Sequence, residues 1–200
     1  GGTLIVFPRR PGTRFAVVDQ ESLGVSKIVT APANRHFFGH GAFSRDGAYL
    51  LVTENRLDTL GGAIGVYATA EGYRRVGQVA LPGPGPHEII RHPASDVFFL
   101  ALGGLETHPD YGRTPLNLGS FKSQIIAFDF ARSRLDPMGH WPGSEAISLR
   151  HLAVDGRGRL YVGGQHADPA RGKAQNVLWL VKDGAETRLA SGRALGGYVS

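Results

Sequence analysis

Residues 39–83 read GHGAFSRDGAYLLVTENRLDTLGGAIGVYATAEGYRRVGQVALPG, and this stretch decides the fold. Short apolar runs of strand length alternate with turn residues at hairpin spacing. Turn chemistry, alternation and length together describe one four-stranded blade of a β-propeller. Asp46-Gly47, between GAFS and YLLVT, marks the first hairpin, because Asp-Gly tolerates the positive φ that a tight β-turn demands. The pattern recurs. After His87 come EIIRHPASDVFFLALGG, SQIIAFDF and LDPMGHWPG; after His151 come LAVDGRGRLYVGG, QNVLWLVK and ETRLASG, with Asp155-Gly156-Arg157-Gly158 as the equivalent turn. The expectation is an all-β repeat protein built of four-stranded antiparallel blades.

The register follows from equivalent positions on the third strand of each unit, Phe15, Ile64, Ile125 and Val177, which are 49, 61 and 52 residues apart. Blades run to roughly 40–50 residues, so the middle unit carries an excess. That excess falls in residues 104–122, GLETHPDYGRTPLNLGSFK, which lack strand alternation; loops of this length are usually functional or mobile. The predicted division is one propeller domain over 1–200: a partial blade at 1–34, a blade at 35–83, a blade with the long loop at 84–145, a blade at 146–194 and the start of another at 195–200. GGTLIVF at the beginning reads as a second strand without its first, and GGYVS at the end as an inner strand. About three and a half blades are present where a closed ring needs four to eight, so the expectation is a part of a longer polypeptide.

Composition bounds the function. With 29 glycines and 12 prolines in 200 residues, the chain suits many short strands joined by tight turns. Cysteine is absent, which excludes disulfides, thiolate catalysis and Cys-rich zinc sites. No apolar run reaches the length of a membrane span. The net charge of +5 comes from scattered arginines rather than a basic block, so nucleic acid is not an expected partner.

The first strand of a blade runs out and the second returns, so the start of one and the end of the other share a rim. His40, His87 and His151 stand at that start, one per blade. Inner strands line the channel of a propeller, so the three imidazoles are expected around one axis as a transition-metal site for iron, copper or zinc. The alternative is a structural role, locking neighbouring blades together. Glu54 and Gln165, the latter followed by His166, lie fourteen residues after His40 and His151, and the long loop brings Glu106, His108 and Asp110 to the same rim. His108, His166 and Glu54 are therefore possible additional ligands. On strict strand alternation Glu88 faces away from His87, which leaves Glu54 as the candidate general base. Arg9 and Arg10, in the loop FPRRPG, and Arg35 and Arg150, beside the rim histidines, are candidate anion-binding residues; of Arg74 and Arg75 at least one is expected to be a solvated edge charge. His87–His92 (HEIIRH) is not the HExxH zinc motif, since the second histidine is at i+5 and flanking prolines favour a strand. Nucleophile-elbow, Walker and dinucleotide motifs are missing.

RRPG, GHGAFSRDGAYLLVTEN with GGAIGVYA, GPHEII, THPDYGRTPLNL and LRHLAVDGRGRLYVGGQ together resemble the bacterial proteins grouped as domain of unknown function 1513, over essentially the whole chain. The resemblance implies a seven-bladed propeller related to YVTN-repeat and lactonase-like propellers. It further implies export to the periplasm, often by a twin-arginine signal, and a setting among iron-uptake proteins that would be its partners. Two function classes stay open: a non-enzymatic propeller binding a transition metal, a metal chelate or a partner protein in iron acquisition, and a lactonase-like hydrolase acting on a small anionic substrate.

Overall fold

The computed structural model describes residues 2–112, 114–139, 141, 145–168, 177–182, 185–191 and 195. Four antiparallel sheets follow one another along the chain. The first is β1 (Thr3–Val6), β2 (Arg14–Asp19) and β3 (Val25–Thr30); the second is β4 (Arg35–Phe43), β5 (Tyr49–Arg56), β6 (Gly62–Ala68) and β7 (Arg74–Ala80). The third is β8 (Pro86–Arg91), β9 (Val97–Leu102), β10 (Gln124–Asp129) and β11 (Arg134–Met138); the fourth is β12 (Ile147–Val154), β13 (Leu160–His166), β14 (Val177–Lys182) and β15 (Ala185–Ser191). Each sheet keeps its strands in chain order, as a propeller blade does. Among the described residues there is no α-helix, and no helix is long and apolar enough to cross a membrane. His140 and the inner strand expected at 196–200 lie outside the described residues.

The blades stack face to face, which explains why their middle strands are apolar on both sides. In β9 (VFFLAL), Phe98, Leu100 and Leu102 face blade two with Leu51 and Ile64, while Phe99 and Ala101 face blade four with Leu149, Val162 and Trp179. A strand buried on both faces loses polar alternation and reads as a continuous apolar run. Blades one and two join through Phe15, Val17, Phe37, Leu50 and Tyr67, whose rings meet at tilted and edge-on angles. The expected interblade residues behave accordingly: Ile89 is buried, and Phe43, Ile90 and Val154 pack half-buried against the clusters.

The inner strands β4, β8 and β12 lie against one another. On the opposite edge the hairpins close through aspartates. Asp46 accepts hydrogen bonds from Ser44 and from the Ala48 amide, with Gly47 at φ +71°; Asp155 accepts from the Arg157 and Arg159 amides, with Gly158 at φ +78°. The left-handed glycine of the second turn is therefore Gly158 rather than Gly156. The 104–122 loop has internal structure of its own. Asn117 donates to the Gly104 carbonyl and accepts from the Glu106 amide, and Leu105 and Phe121 form a small core with Ala167 of blade four. Gly104, at φ +74°, leaves no room for a Cβ against the Lys122 carbonyl.

Candidate functional site

The three inner strands share one irregularity: each loses register with its neighbour at or beside its histidine. In β4, Phe37 pairs Glu54 and Gly41 pairs Val52, so Phe38, Gly39 and His40 together oppose Thr53. Gly39 takes φ +102° there, a conformation in which side chains are strained. In β8 the unpaired residue is His87, between Pro86 opposite Leu102 and Glu88 opposite Ala101; in β12 it is Arg150, between Leu149 opposite Gly164 and His151 opposite Gly163. A bulge breaks the two-residue alternation and re-aims the side chains around it.

These bulges bring the three histidines together. The ring centroids of His87 and His151 are 4.8 Å apart, those of His40 and His87 5.5 Å, and those of His40 and His151 6.4 Å. Glu88 belongs to the same cluster, against the expectation from alternation, because the bulge at His87 shifts the parity of β8 by one residue. Its Oε2 lies 3.2 Å from His151 Nδ1 and accepts the Leu152 amide at 2.8 Å, while Oε1 lies 3.6 Å from His40 Nδ1. The carboxylate thus accepts the Nδ1–H of His151 and faces Nδ1 of His40.

His40, His87 and His151 line a cavity of about 440 Å³ together with Arg9, Arg10 and Arg150; Phe7, Phe38 and Gln165 complete much of its wall. Among the described residues no carboxylate lines it; Glu88 contacts the imidazoles without reaching the cavity wall. Burial, with the positive charges of Arg150 and Arg10 and the neighbouring imidazoles, pushes the His87 imidazolium down to about 2, so this ring is neutral in any physiological medium. Burial also lowers His40, opposed by the Glu88 carboxylate. Nδ1 of His87 is buried without a hydrogen-bond partner. Arg10 is held by Thr107, 97 residues away, and by the face of Phe38, 5.1 Å from its centroid; Arg150 donates to Gln165 at 2.9 Å.

The remaining candidates lie elsewhere. Glu54 is fully buried inside blade two, where Arg75 binds both its oxygens at 3.0 and 2.8 Å, Arg35 adds 3.1 Å and the Tyr67 hydroxyl donates at 2.8 Å. Burial and the adjacent carboxylate push the Tyr67 phenol upwards. Glu54 and Arg35 are therefore not among the cavity residues, and of the arginine pair Arg75 is structural while Arg74 pairs with Glu71 at the surface. His108 caps the short turn Pro109–Tyr111 through its Nδ1 and borders a narrow cleft with Arg10, Thr107 and His36. His36, not singled out in the sequence, is buried with Nε2 unpartnered and lowered by burial. His166 is buried and accepts the Asp168 amide, one wall away from the histidine cavity. Among the described residues no group of three His, Asp or Glu side chains is arranged as a ready metal cage.

A family model described as "Protein of unknown function (DUF1513)" matches residues 1–200. The chain belongs to the DUF1513 family. No curated protein matches its sequence. Among solved structures, this DUF1513 chain is similar to a luciferin-regenerating enzyme (TM-score 0.53, 11% identity, 96% of this chain and 63% of that one) and to the Dos1 propeller (TM-score 0.50, 11% identity, 90% and 41%). At such identities the likeness establishes the β-propeller fold alone. The chain spans less than two thirds of the length of each of these two proteins.

Proposed function

We propose that the complete protein binds a small anionic metal chelate at the histidine cavity, as a non-enzymatic propeller of iron acquisition in the periplasm. One observation carries this reading: three imidazoles and three arginines line one cavity, and among the described residues no carboxylate lines it. Imidazole nitrogen is a ligand for iron, copper or zinc, and its second nitrogen held by a carboxylate is the usual outer-shell arrangement. Guanidinium, by contrast, recognises carboxylates. A bare cation satisfies the first group and is repelled by the second. A metal held by a polycarboxylate satisfies both, and brings ligands that the protein does not supply.

The test uses the full-length protein near neutral pH, titrated by calorimetry with ferric citrate, with citrate and with a zinc salt. Ferric citrate is expected to bind, and His151→Ala and Arg150→Gln each to weaken it at least tenfold in a folded protein. Tight binding of zinc alone, unaffected by Arg150→Gln, would replace the chelate by a simple metal site. A second reading rests on the Glu88–His151 pair, which has the geometry of a general base: steady turnover of lactones in the presence of chelator, lost in Glu88→Gln, would make the protein the hydrolase.

A further inference from the structure

The histidine cavity has a neighbour behind its far wall. Arg10, Arg150 and Gln165 line it and also line a second chamber of about 370 Å³, whose other walls are Leu105 and Pro115 of the long loop with His166 and Ala167 of blade four. His166 and Ala167 in turn border a third space of about 300 Å³, floored by Phe121 and Ala146 and flanked by Leu118. Neighbouring spaces share lining residues, and the lining changes from one to the next, Glu145 and Asp168 bordering only the third. The first is lined by imidazole and guanidinium, whereas the second and third take apolar side chains from the 104–122 loop. Arg10 and Arg150 stand at the first junction, each steadied by a hydrogen bond, Arg10 to Thr107 and Arg150 to Gln165.

We infer that the ligand is elongated: its anionic head sits among His40, His87 and His151, and an apolar arm passes Arg10 and Arg150 into the chamber beneath the long loop. This rests on the chelate reading and names the class of chelate, one that carries a hydrocarbon or aromatic substituent. The long loop then selects the arm, just as the bulged inner strands select the head. It also accounts for the extra length of blade three, which the fold itself does not need: blade two closes the corresponding connection, residues 57–61, without such a segment. Small-molecule sites of this kind combine apolar walls with a few polar groups that fix orientation.

Two probes with identical heads test it: the ferric complexes of the mono-methyl amide and the mono-octyl amide of citrate, titrated into full-length protein. The octyl probe is expected to bind at least tenfold tighter, and that ratio to fall towards one in Pro115→Asp and in Leu105→Asp, the half-buried Pro115 guarding against a failure of the second variant to fold. Equal binding of the two probes to the unaltered protein overturns the elongated ligand and leaves the chelate reading standing. An octyl advantage that persists in both variants places the chain elsewhere and overturns it too. Binding of neither probe removes the chelate reading and the arm with it.

Discussion

Glu54 and Glu88 lie on adjacent blades, and both face basic side chains, yet they do different things. Glu54 is wholly enclosed, and its two oxygens are saturated by two arginines and a tyrosine hydroxyl. Gly65 across the strand makes room for it, since a Cβ there would collide with the carboxylate. The Glu54 carboxylate is thereby shut off from any ligand. Glu88 instead holds His151 and faces His40 through one ring nitrogen of each, and both rings line the cavity. A carboxylate enclosed with its partners inside one blade stabilises that blade; one whose partners line a cavity builds a site.

The largest expected effect is on the Glu54 side. Glu54→Ala strands two guanidinium groups against a buried tyrosine, and breaking a buried pair this way costs about 3–5 kcal/mol, read as a loss of urea stability in the full-length protein. A cost below about 1 kcal/mol would place this pair with surface ion pairs and erase the contrast.

On the Glu88 side the comparison predicts the reverse pattern. Glu88→Gln keeps the side-chain shape and should leave unfolding stability nearly unchanged. Ferric citrate affinity should nevertheless fall about 10–100-fold, the usual consequence of removing a group that orients metal-binding imidazoles. Should Glu88→Gln unfold the protein as readily as Glu54→Ala, the two clusters are both structural.

A smaller effect separates the clusters by pH. The His87 pKa is depressed by burial and neighbouring positive charge to about 2, while an unfolded histidine titrates near its ordinary value of 6.5. Below that value the unfolded chain binds a proton that the folded one refuses. Stability is therefore full above pH 6.5 and declines as pH falls from there towards 2, by up to about 1.4 kcal/mol per pH unit from this group. Urea midpoints at pH 7.5, 6 and 4.5 should show a shallower decline for His87→Gln than for the unaltered protein; parallel curves would mean that the ring charges in place.

The blades were legible because their signal is local. Asp-Gly turns, strands of four to nine residues and a repeat near blade length need no long-range information; Ile64, Ile125 and Val177 are indeed buried third-strand residues, and Phe15 is buried on the middle strand of the three-stranded sheet. That His40, His87 and His151 converge was also readable, since matched positions in a cyclic repeat meet at the axis. Glu88 was not, because strict alternation assigns it the wrong face. The prolines at 84 and 86 beside it were the available hint of an irregular strand.

By itself, then, the sequence determined an all-β propeller of repeated blades, and which rim carries its histidines, because periodicity and turn chemistry are properties of neighbouring residues. Only the tertiary structure decided which carboxylate joins them and that Arg10 and Arg150 close on the same cavity. One bulged residue reverses the parity of everything beyond it, and Arg10 reaches its partner Thr107 across 97 residues through the packing of blades, a distance along the chain at which no local pattern carries information.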